Sequence, residues 1–75
     1  MKSYHFSIPQ KYATQEHQLG LGPDDMFIVK ANNRDAAIAK VIYDLGEDSY
    51  TFIYDPQEDA EIIAAFYPGR RLELD

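Results

Sequence analysis

The chain has 75 residues, a formal net charge of −6 and no cysteine. That describes one small domain without disulfides or thiolate metal sites. Six Tyr and four Phe in a 45% apolar composition argue against a disordered chain. The acidic balance opposes direct binding to phosphate backbones and to anionic membranes, both of which need clustered Lys and Arg. It favours attraction to basic partners. A domain of this length buries only about 60% of the surface its unfolded chain exposes, so its core is thin. Neither the opening residues Met-Lys-Ser-Tyr-His-Phe nor any later run has the apolar length of a signal peptide or a membrane span. The expectation is a soluble, cytoplasmic protein.

In chain order, SYHFSI (3–8) alternates, with Tyr4, Phe6 and Ile8 opposite His5 and Ser7. This predicts a first strand stopped by Pro9. Residues 9–25 have no period and are punctuated by Pro9, Gly20, Gly22 and Pro23. They read as a long loop, either hiding a short element around Tyr12 to His17 or serving as a functional or mobile segment. MFIVKA (26–31) predicts a second strand. A helix over 33–45 follows, with Asn32 or Asn33 as its cap. With Asn32 capping, Asp35 falls at the third helical position, where an acid bonds back to the cap. Ile38, Val41, Ile42 and Leu45 form its core stripe, Ala37 flanks them and Gly46 ends it.

SYTFIY (49–54) predicts a third strand, with Tyr50, Phe52 and Tyr54 on one face opposite Thr51 and Ile53. Residues 55–67 admit two readings. As a helix over 56–67, Asp55 caps, Pro56 opens and Glu58 completes a capping box. As a hairpin, 55–60 turns into a fourth strand, EIIAAFY (61–67). Residues 62–67 are all apolar, so periodicity does not arbitrate; we favour the hairpin. RRLEL (70–74) alternates as a last strand after Pro68-Gly69. The sum is a single α+β domain over 1–75, an antiparallel sheet of four or five strands with one face covered by the 33–45 helix.

No pattern marks an active site. Asp55, Glu58, Asp59 and Glu61 crowd one turn, where capping and solubility explain them without a paired acid and base. They lack the spacing of a calcium loop. His5 and His17 read as a solvent-facing strand residue and a loop residue, and no Cys or His-x-x-x-His pair joins them. GLGPDD is not a phosphate loop, because no Lys follows it. We expect no metal, no cofactor and no enzymatic activity. Tyr50, Phe52 and Tyr54 have the spacing of base-stacking aromatics but lack flanking bases, so core packing is the better reading.

The notable charge feature spans 41–69. It holds Asp44, Glu47, Asp48, Asp55, Glu58, Asp59 and Glu61, with no Lys or Arg. A solvated face is the ordinary outcome of such a run. The sharper expectation gathers these acids at one edge, with Tyr43, Tyr50 and Tyr54, as a contact surface for a basic protein partner. In size, charge and these residues, the chain resembles the small acidic anti-CRISPR and anti-restriction proteins of phages. That resemblance implies a non-enzymatic inhibitor that docks the basic nucleic-acid-binding surface of a larger complex. The acidic balance sets the expectation of no direct contact with nucleic acid or membrane. One alternative is a structural module that self-associates through an exposed strand edge such as RRLEL, so that the chain is a monomer or a homodimer. Another is a small hydrolase or acid–base enzyme using the acidic cluster with a histidine.

Overall fold

The computed structural model describes residues 1–9 and 17–74. The element expected around Tyr12 falls, apart from His17, outside the described residues.

β1 (Lys2–Ser7) and β2 (Met26–Ala31) pair antiparallel. Their register sets Tyr4 against Val29 and Phe6 against Phe27, so the alternation becomes one apolar face. The Phe6 and Phe27 rings stack with centroids 5.1 Å apart, and Tyr50 meets Phe6 edge-on at 5.1 Å. Both phenylalanines are fully buried. Each such side chain stabilises the fold by about 1.5–3 kcal/mol.

α1 (Arg34–Leu45) lies on this face. Its cap is Asn33, whose Oδ1 accepts the Ala36 N–H at 2.8 Å. Asn32 is not the cap, and Asp35 therefore stands at the second helical position. Ala37 and Val41 are fully buried, with Ile38 and Leu45 packed beside them. Ile42, expected in the stripe, is 37% exposed, at the edge of the buried face. The small Ala37 lets the helix sit close, and the contact line is centred on 37 and 41 rather than 38 and 42. Gly46 ends the helix at φ 97°, and its N–H donates to the Ile42 carbonyl at 3.0 Å.

The third strand is much shorter than expected. Glu47–Ser49 forms a single 3-10 turn, and β3 is only Ile53–Tyr54. The facing also differs. Tyr50 and Ile53 pack on the core, while Phe52 is 56% exposed.

The favoured hairpin is not formed: residues Ala60–Phe66 are a second helix, α2. β4 (Arg71–Leu74) then pairs parallel with β2, and the sheet order is β3-β1-β2-β4. The sheet is thus mixed, not antiparallel. β2 and β3 both run antiparallel to β1, so β2, β3 and β4 share one direction. The chain crosses the sheet from β2 to β3 through α1 and back from β3 to β4 through α2. Two crossovers of the usual right hand in opposite directions put their helices on opposite faces. The packing agrees. Met26 and Ile63 are buried outside the α1 cluster. Tyr54, the Cα partner of His5, meets Tyr67 just past α2, with hydroxyl oxygens 3.2 Å apart.

One carboxylate fixes β4. Asp25, 8% exposed, accepts the Gly22 N–H at 2.9 Å and the Arg70 N–H at 2.6 Å, and pairs with the Arg70 guanidinium at 3.1 Å. Gly69 donates to the Asp24 carbonyl at 2.8 Å. That approach leaves no room for a side chain: a Cβ on Gly69 would stand 2.2 Å from Asp25 Oδ1. The Gly22 hydrogen bond, with those of Arg70, holds the Asp25 carboxyl below its usual range.

Candidate functional site

The seven acids do not gather at one edge. Ser7 donates its N–H to the Phe52 carbonyl at 2.9 Å, and Asp55 pairs with Lys2. Ser7 and Lys2 lie five residues apart on one strand, roughly 17 Å. Asp44, Glu47 and Asp48 belong to the Ser7 end, and Asp55, Glu58, Asp59 and Glu61 to the Lys2 end.

At the Lys2 end the acids are built into the chain. Asp55 Oδ1 accepts the Gln57 N–H at 2.8 Å and the Glu58 N–H at 3.3 Å, so it caps the turn before α2, the role it has in the helix reading and not in the favoured hairpin. The residue that reaches back is Asp59, not Glu58: its Oδ2 accepts the Asp55 N–H at 2.9 Å. The turn of 56–59 precedes the helix proper, which moves the reciprocal position one residue on. The Lys2 ammonium, helped by the Gln57 and Glu58 N–H groups, holds the Asp55 carboxyl below its usual range. Asp55 in turn raises Lys2. Glu58 and Glu61 are exposed.

A cleft of about 240 Å³ opens here between β1, the start of α1 and the β3–α2 turn. Lys2, Tyr4, Arg34, Asp55, Glu58 and Asp59 line it. Sequence reasoning missed Lys2, Tyr4 and Arg34 as site residues. Tyr4 was read as core, and the two bases lie far from the acids in sequence; only the strand pairing brings them together.

At the Ser7 end, Asp44 closes the last turn of α1 and Glu47 and Asp48 follow it, with no base in that turn. A helix C-terminus carries a partial negative charge, so these acids oppose the α1 dipole. Tyr43 beside them is 90% exposed. Tyr50 and Tyr54 are half-buried. Tyr50 is committed to Phe6, and Tyr54 to Tyr67. Burial, and then the Tyr67 hydroxyl, push the Tyr54 phenol up to about 12. Of the three tyrosines expected at a contact, Tyr43 alone stands free for one.

The histidines are both less exposed than expected. His17 is buried against Phe27, its Nε2 3.0 Å from the Ser49 carbonyl and its Nδ1 accepting the Leu19 N–H at 3.3 Å. It pins the loop before β2 to the 3-10 turn. His5 is half-buried, and its Nδ1 is buried with no hydrogen-bond partner among the described residues. Burial, and then the Arg71 charge, lower its affinity for a proton.

Among the described residues, no group of three His, Cys, Asp or Glu side chains could hold a metal ion, and no helix is long and apolar enough to cross a membrane. Asp25 and Asp55 are both shifted toward the ionised form, away from what a general acid needs. No known protein family, curated protein or solved structure matches the chain.

Proposed function

We propose that the chain is a non-enzymatic protein-binding module that meets a basic partner with the end of α1. Tyr43, Asp44, Glu47 and Asp48 supply the contact. The observation that carries this reading is the acid-only helix terminus. The Asp44 and Glu47 carboxylates stand at the negative end of a dipole with no base in the last turn, and repel one another and the helix end. A cationic partner surface relieves that repulsion, and the exposed Tyr43 adds rigid contact area. Inhibition of a nucleic-acid-binding protein, as the resemblance to phage anti-defence proteins implies, is the specific form of this reading, with the cytoplasm as its compartment.

The test is capture of host proteins by the wild-type chain and by the Asp44→Lys/Glu47→Lys/Asp48→Lys variant. A basic partner held by the wild type, released at high salt and lost by the variant supports the reading. Equal capture by both removes it.

A second reading rests on the sheet edge. β4 is an edge strand, and Leu72 on it and Phe66 near it, 37% and 67% exposed, are apolar surface. Edge-to-edge pairing of two copies would satisfy the free backbone edge of β4 and cover Leu72. A mass that doubles with concentration supports pairing; a monomer at high concentration excludes it.

A further inference from the structure

We propose that the cleft between the start of α1 and the β3–α2 turn binds a small zwitterion of the free amino-acid class. The ligand's carboxylate lies at Arg34 and its ammonium at Glu58 and Asp59. This goes beyond the docking reading, which uses the opposite end of the molecule.

The argument starts from Tyr4. It is only 8% exposed and lines the cleft, and its hydroxyl makes no hydrogen bond within the described residues. The hydroxyl is solvent-accessible at the cleft, so a ligand's polar atom placed there would take over a hydrogen bond now made to water. The charges around it divide by sign. Lys2 and Asp55 neutralise one another. What remains is the Arg34 guanidinium on one wall and the Glu58 and Asp59 carboxylates on the other. Arg34 has no ion pair among the described residues, and of the second wall only Asp59 takes a hydrogen bond, from the Asp55 N–H. The positive end of the α1 dipole adds to the Arg34 side.

A simple anion placed here is repelled by the two acids, and a simple cation by Arg34. A molecule carrying both charges satisfies both walls and leaves a polar atom for Tyr4. The volume of about 240 Å³ lies below the roughly 300–1,000 Å³ of pockets for drug-sized ligands, which suits a molecule of amino-acid size.

The experiment follows the backbone amide signals of the labelled full chain during titration with glycine, lysine, glutamate and phenylalanine. Each is compared with its amide, which lacks the carboxylate, and its N-acetyl form, which lacks the ammonium. The expected result is saturable shifts at Arg34, Asp35, Glu58 and Asp59 for at least one free amino acid. Either blocked form binds about tenfold more weakly or worse, the scale of one lost charge-assisted pair. Arg34→Ala, at an exposed position, abolishes the preference for the free acid over its amide. Tyr4→Phe keeps the ring in the core and weakens binding a few-fold, with its fold checked in the same spectrum. The proposal is overturned if no free amino acid gives saturable shifts at tens of millimolar. It is equally overturned if the free and blocked forms shift the same signals equally, which is the behaviour of unspecific ion pairing.

Discussion

The β3–α2 turn and the end of α1 are both acidic without a Lys or Arg in sequence, and opposite in physics. At the turn, Asp55 and Asp59 hold backbone N–H groups and Asp55 also holds Lys2. At the end of α1, Asp44 and Glu47 oppose a helix dipole with no base in the last turn. The difference teaches that a run of like charge carries no functional meaning until the polarity of the nearest helix end and the strand opposite are known.

The comparison is sharpest where an acid is most deeply built in. Asp25→Ala strands the Gly22 and Arg70 N–H groups, and we expect it to lower unfolding free energy by about 2–3 kcal/mol in urea titration. Gly69→Ala reaches the same clip from the other side and should cost at least as much, because its Cβ would stand 2.6 Å from the Asp24 carbonyl as well. A loss below about 0.5 kcal/mol for both, the scale of an ordinary surface change, breaks the account of β4 docking.

Asp55→Ala comes next, with a melting temperature several degrees lower. Asp55→Asn, which keeps a capping oxygen but not the charge, should fall between it and the wild type.

Asp44→Asn/Glu47→Gln must go the other way. Removing acids from a helix C-terminus relieves repulsion of about 0.3–1 kcal/mol per charge. The variant should therefore match or exceed wild-type stability in the same titration. If it is less stable than the wild type, the two groups are not different in kind.

The smallest effect separates the carboxylates from His5 by pH. Asp25 and Asp55 have depressed folded-state pKa values. Their stabilisation is present above about pH 4 and lost as pH falls through the folded values. His5 is also depressed, but from a higher start, so its contribution is full above about pH 6.5 and declines as pH falls below that. Between about pH 7.5 and 5.5 the wild type should lose a small amount of stability, and His5→Gln should flatten that slope.

The readable parts of the fold were those with a period or a cap. Tyr4, Phe6 and Ile8 alternate, and α1 carries an Asn before it and Gly46 after it. α2 was not readable because residues 62–67 are apolar all round, and the helix buries only Ile63 while leaving Ile62 and Phe66 at the surface. That one misreading carries the sheet error with it. A hairpin makes the next strand antiparallel, whereas a helix of this length lets the chain cross the sheet and return parallel. The burial of His17 has no counterpart in its polar surroundings. The charged cleft was hidden because Lys2 and Asp55 are more than fifty positions apart and meet only through the pairing of β1 with β3.

The first strand in the chain is an interior strand of the sheet, flanked by β3 and β2. During synthesis β1 leaves the ribosome first but is paired on both sides only after residue 54 has emerged. Its hydrogen-bonding edges wait until then, and the contacts that close them are non-local, the kind that slow folding. Trimming a few residues from the start of a domain is ordinarily harmless. Here it would remove the strand that β2 and β3 share and leave the sheet in two pieces.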